Sequence, residues 1–203
     1  MKNLFVSTSL VAAALFALPA QAVTVTFDYT NTNLGGDNSG KTSPLLGANN
    51  APIPGSVFVE TFSAINGGGN AQGCGLDTPA GLITITGGTY GFRKNTLSGV
   101  AAAPAGDSTC FAYGPGAGQT SSTVNIDYTG LLSGLGANAS LNYLGLYYGS
   151  IDTYNDLIFY NAAHQVIRTV TGTELIAQFA GQSGNQNADS SNIYVNLFFS
   201  PSE

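Results

Sequence analysis

Tryptophan is absent from this 203-residue chain, histidine occurs once, cysteine twice, and methionine only at position 1. With His164 as the single imidazole, at most one serine or cysteine could have a histidine base. Neither Cys74 nor Cys110 has a histidine nearby to complete a zinc site. Charge is scarce as well: five Lys and Arg stand against eleven Asp and Glu, a net −6. A surface of that sign repels phosphate backbones and excludes nucleic acid as a partner. After the first 22 residues no run of about 20 apolar residues occurs, so no membrane span is expected there.

What is present begins with a leader. "MKNLFVSTSLVAAALFALPAQA" carries one cation at Lys2, an apolar run at 10–18 and the small-residue ending Ala20-Gln21-Ala22, the pattern of a secretory signal peptide over 1–22. Cleavage there leaves 23–203, one unit more negative, with Lys41, Arg93, Lys94 and Arg168 as its cations. No cysteine follows the cleavage site to accept a lipid. An exported chain meets an oxidising compartment, so Cys74 and Cys110 are expected to form a disulfide, with a shared metal as the alternative. Closing that loop is worth about 3 to 4 kcal/mol in the chain-entropy model.

Short alternating segments recur at 23–29, 57–62, 82–86, 123–128, 141–148, 157–160, 165–170 and 193–199, separated by Gly, Asn and Pro clusters. This spacing predicts an all-β chain, an antiparallel β-sandwich of jelly-roll type, folded as a single domain over 23–203. One short helix is expected, with Thr171 and Glu174 as a capping box ahead of "LIAQFA" and Gly181 ending it. Residues 31–54 and the segment "INGGGNAQGCG" have too few apolar residues for core strands and are expected to be surface loops.

Several motifs have the look of chemistry. "GGDNSGKT" at 35–42 matches the P-loop letter by letter, with Lys41 and Thr42 at its end, but polar residues precede it and Pro44 follows where a helix is required. "GDSTC" places Ser108 in a Gly-Asp-Ser triplet whose base could only be His164, in the turn "NAAHQV". Asp127, Asp152, Asp156 and Glu174 are carboxylates that could pair for glycoside hydrolysis, though no spacing demands it. Asp152, Asn155 and Asp156 offer hard oxygen ligands for calcium, against which stands the ordinary role of Asx side chains in turns. Tyr147, Tyr148 and Tyr154 are candidate sugar-stacking rings. Alternation puts Leu144, Leu146 and Tyr148 on one side of their strand, with Tyr143 and Tyr147 on the other.

Three segments together carry a family resemblance. "LGLYYGSIDTYNDLIFYN" at 144–161, "AAAPAGDSTCFAY" at 101–113 and "GNQNADSSNIYVNLFF" at 184–199 resemble elements of exported bacterial surface proteins that carry a PEP-CTERM sorting tag and depend on exosortase. The resemblance implies secretion through the periplasm to the outside of a Gram-negative cell, with exopolysaccharide and biofilm or floc formation. Tyr148 departs from it, standing where a tryptophan is common, and the chain ends at "FFSPSE" without the tag. The expectation is a truncated or released variant whose sandwich lacks a last strand, leaving an open edge beside 193–199 for self-association.

The resulting expectation is a non-enzymatic surface or extracellular-matrix protein that needs no cofactor. Its expected partners are extracellular polysaccharide or other surface proteins. The alternative is a carbohydrate-binding module, calcium-assisted, built on Tyr147, Tyr148, Tyr154 and the turn at 152–156. The segment from Gly149 to Asp156 is expected first of all to be a turn that holds two core strands in register, and only secondarily a site.

Overall fold

The computed structural model describes residues 23–30, 41–46, 58–116 and 123–200. The leader at 1–22, most of the loop at 31–54, the first residue of the strand expected at 57–62 and the end of the chain lie outside them. The described part is mostly strand, arranged in small antiparallel sheets with two helices. None of its helices is long and apolar enough to cross a membrane.

The largest sheet has three strands in the order β1-β9-β6, formed by β1 (Thr24–Thr26), β9 (Ile193–Phe198) and β6 (Tyr143–Tyr148). In it Leu144 faces Leu197, Leu146 faces Val195 and Tyr148 faces Ile193. Strand side chains alternate between faces, so these six share one apolar side. Against that side pack Leu157 and Phe159 of β7 (Leu157–Tyr160), Val170 of β8 (Val166–Val170), and Leu175 of α2 (Gly172–Gln178) with Phe179 beyond it. Val170, Leu175, Val195 and Leu197 are fully buried and form the centre of the core. β7 and β8 make a hairpin with an irregularity at Phe159 and Tyr160.

Two smaller ribbons complete the strands. β2 (Thr84–Gly87) pairs with β5 (Val124–Asp127), and β3 (Gly91–Arg93) with β4 (Phe111–Tyr113). The Cys74–Cys110 disulfide, with Cα atoms 5.5 Å apart, fastens the loop around 62–78 to the start of β4.

Several expectations are corrected. The described residues hold two α-helices where one was expected: α1 (Thr129–Leu135) has two glycines and no buried residue. It forms because its first N–H groups have external acceptors, Asp127 Oδ1 for Thr129 and the Leu82 carbonyl for Leu131. The segment 58–62 forms no strand, because the Glu60 carboxylate bends it by accepting from the Phe62 N–H and Phe62 itself is left-handed (φ 58°). In α2, Thr171 caps as expected by accepting from the Glu174 N–H, but the Glu174 carboxylate pairs with Arg168 instead of completing a capping box. The left-handed residue after that helix is Ala180, while Gly181 is needed because a Cβ there would lie 2.0 Å from the Phe179 ring. Finally, β9 lies between β1 and β6 instead of at the margin of its sheet, with β1 covering Asn196 to Phe198 and no described strand pairing Ile193 to Val195 on that side.

Candidate functional site

The three segments that carry the family resemblance meet at one side chain. Asn192, with no solvent exposure, precedes β9. Its Oδ1 accepts from the Ala105 N–H and the Ser150 N–H, both at 3.0 Å. Its Nδ2 donates to the carbonyls of Asn185 (2.9 Å) and Ala188 (2.7 Å). A carboxamide has two donors and an acceptor oxygen with two lone pairs, so every capacity is used. "APAGD", "YYGS" and "GNQNADSSN" are thereby joined by a single amide. Tyr147 reinforces the junction by donating its hydroxyl to the Ala105 carbonyl at 2.5 Å. Gly149 allows it, since a Cβ there would lie 2.7 Å from Pro104 Cα.

Ser191, also fully buried, extends the junction. Its hydroxyl donates to the Gln182 carbonyl and accepts from the Asn185 N–H at 2.9 Å, while its carbonyl accepts from Ile151. Lys41 enters from the other side: its ammonium donates to Asp189 Oδ1 (2.5 Å) and to the Asn192 carbonyl (3.1 Å) and lies 5.3 Å from the centre of the Tyr147 ring. Asp189 is 83% exposed, so the ion pair itself is worth little, and the desolvated contacts of Lys41 carry its fixing role. Thr42 pairs with Thr30 through backbone bonds of 3.0 and 3.1 Å. The last two residues of the P-loop match are thus pinned to protein groups, and residues 35–40 of it lie outside the described residues.

Above this junction opens a shallow polar cleft of about 210 Å3. Asn95 and Thr96 line one part, the 103–107 loop with Asp107 another, and Gln186 with Asn187 a third. Nothing in the sequence reading pointed to it, because its walls come from three separate loops, two of them joined by the buried Asn192 and the third by the Thr96 hydroxyl, which accepts from the Ala103 N–H.

The candidate tyrosines are not gathered into one surface. Tyr147 and Tyr148 occupy opposite faces of the three-stranded sheet, and Tyr148 packs against the core. Burial raises the Tyr148 phenol well above its usual range, and the fields of Asp156 and Asp152 raise it further. Tyr154 is 76% exposed and donates its hydroxyl to Asp152 Oδ2 at 2.8 Å, a bond that also raises its pKa.

The three candidate calcium ligands lie in one turn, each engaged. Asn155 Oδ1 accepts from the Asp152 N–H (2.7 Å), Asp156 Oδ1 accepts from the Gly172 N–H (3.1 Å), and Asp152 Oδ1 accepts from the Ser183 hydroxyl (3.1 Å). Among the described residues no group of three or more His, Cys, Asp or Glu is placed to hold a metal ion.

Ser108 sits beside Asp107, whose Oδ1 accepts from the N–H and hydroxyl of Thr109. His164 is at the tip of the β7–β8 hairpin, left-handed at φ 58°, with its N–H donated to the Asn161 carbonyl. The hairpin's base, closed by Asp156 and Gly172, is at its other end. Asp127 is held below the usual carboxylate range by the hydroxyl and N–H of Thr129, with a smaller contribution from His164.

Glu60 and Asp77 form a second polar centre that sequence reasoning missed. Glu60 accepts from the N–H groups of Phe62, Asp77 and Thr78 and from the Thr78 hydroxyl. Asp77, almost fully buried, accepts from the N–H and hydroxyl of Thr61, both at 2.6 Å, and from the Ile65 N–H at 3.3 Å. Burial pushes the Asp77 carboxyl up, but these donors together outweigh it and leave the pKa lowered. The only signal in the sequence was a pair of Asp/Glu-Thr dipeptides, Glu60-Thr61 and Asp77-Thr78, in glycine-rich surroundings.

No model of a known protein family, no curated protein and no solved structure matches the chain.

Proposed function

We propose that the protein is an exported, non-enzymatic component of a bacterial surface or extracellular polysaccharide matrix, related to the PEP-CTERM-bearing surface proteins that its motifs resemble. The observation that supports this reading is the Asn192 junction. The polar residues at the heart of the shared motifs are bonded to one another and to backbone groups, a use that holds loops together. The Cys74–Cys110 disulfide fits a chain that matures in an oxidising compartment. The finer fold assignment belongs to the same proposal: the three-stranded sheet with the β7–β8 hairpin and α2 layered on its apolar face supports a two-layer, sandwich-like arrangement.

A second reading, a carbohydrate-binding module with Tyr154 as its stacking ring and calcium on Asp152, Asn155 and Asp156, is favoured by one observation, while Tyr148 is taken up by the core and Tyr147 by the junction. The exposed Tyr154 ring is oriented by its bond to Asp152. Fractionation of producing cells tests the first reading, which expects the protein in the matrix or surface fraction and a defect in floc or biofilm on deletion of its gene. Confinement to the cytoplasm overturns it. A glycan array with and without chelator tests the second, which expects binding that chelation removes.

A further inference from the structure

We propose that the cleft over the Asn192 junction binds one neutral sugar unit of a polysaccharide. Three properties of the site point to this ligand class. Its volume of about 210 Å3 is below the roughly 300–1,000 Å3 of sites for drug-sized molecules, room for a single ring and not for a run of them. Its reach is open to solvent, so the ring can belong to a longer chain. Its polar side chains besides Asp107 are three carboxamides, Asn95, Gln186 and Asn187, and the Thr96 hydroxyl, which accepts from the Ala103 N–H, beside the small apolar surface of Ala103, Pro104 and Ala105. A carboxamide offers donors and an acceptor in one plane, which matches neighbouring hydroxyls that each donate and accept.

Charge selects within that class. The one ionisable lining group is the carboxylate of Asp107, in a chain of net charge −6, so uronate or sulfated units are disfavoured. Arg93 and Lys94 precede Asn95, but the Arg93 Nε–H is donated to the Asn95 carbonyl. The cleft floor is fixed before any ligand arrives, because Asn192 holds the 105 and 185–188 segments and Tyr147 holds the Ala105 carbonyl. Preorganisation of this kind lowers the ordering cost that a weak polar ligand must meet. The cleft is distinct from the exposed Tyr154 ring. The inference rests on the matrix-protein reading only for where the sugar comes from.

The test is a titration of the mature protein, followed by amide NMR, with glucose, galactose, mannose, their N-acetylated amines and glucuronate. Saturable shifts at Gly106, Gln186 and Asn187 with a neutral sugar, at an affinity on the order of millimolar, are expected. Gln186→Ala and Asn187→Ala alter exposed side chains and should each weaken binding by about tenfold, with Tyr154→Ala unchanged. No saturable shift with any neutral sugar, shifts with glucuronate alone, or loss of binding in Tyr154→Ala only would each overturn the proposal. A protein that stays in the matrix fraction yet fails this titration loses the cleft and keeps the matrix role.

Discussion

At the scale of single residues, the molecule depends on buried polar groups whose every bond is matched. Asn192 is the clearest case. Its replacement by alanine leaves two N–H groups and two carbonyls without their partner in a site closed to water, at a cost of about 3 kcal/mol or more. Urea denaturation of Asn192→Ala should show that loss, and a change below about 0.5 kcal/mol would show that the junction is not needed for stability. Asp77 yields a pH dependence. Its folded pKa is below the ordinary 3.8, so the stability it contributes is present above that value and is lost as pH falls through the folded one. Tm should therefore drop on acidification below about pH 4. Asp77→Asn should start from a lower Tm at pH 7 and lose less of it over the same acid range. An unaltered acid profile in the variant would count against this role for Asp77.

At the scale of elements, the stretch "YYGSIDTYN" acts first as a joint. Its strand end, turn and glycine are held by Asn192, Pro104 and the Asx bonds of Asn155 and Asp156. Gly149→Ala forces a Cβ against Pro104 and should cost about 1 to 3 kcal/mol, read again by denaturant midpoint. Reduction of Cys74–Cys110 removes the tie between the 62–78 loop and β4 and should lower stability by about 3 to 4 kcal/mol, seen as a reversible fall in Tm with reductant. The strands of the main sheet were readable in advance, because Leu144, Leu146, Val195 and Leu197 alternate with period two. β3 and α1 were not. β3 is three residues fringed by glycine, and α1 exists because Asp127 and Leu82 satisfy its first turn, a fact of tertiary placement that local propensity does not carry. The cleft was hidden for the same reason. Its lining residues are ordinary loop residues until Asn192 and Thr96 bring their segments together, whereas the turn at 152–156 was legible as a turn from its Asx residues alone.

At the scale of the whole chain, the carboxylates that looked catalytic have structural partners: Asp127 with Thr129, Asp152 with Ser183, Asp156 with Gly172 and Glu174 with Arg168. Replacing Ser108 or Asp152 by alanine is expected to abolish no hydrolytic activity, because ester, peptide and glycoside substrates should not be turned over by the intact protein. A turnover that disappears in either variant, with Tm preserved, would overturn the non-enzymatic reading. The sheet order carries a further consequence. β9 lies between β1 and β6, with Thr24 paired to Phe198 and Leu146 to Val195. Both neighbours of β9 precede it by long stretches of chain, so the central layer has no middle until β9 docks. Closure of this sheet therefore waits on contacts between remote parts of the chain, and refolding should take milliseconds to seconds, as for other folds dominated by distant pairings.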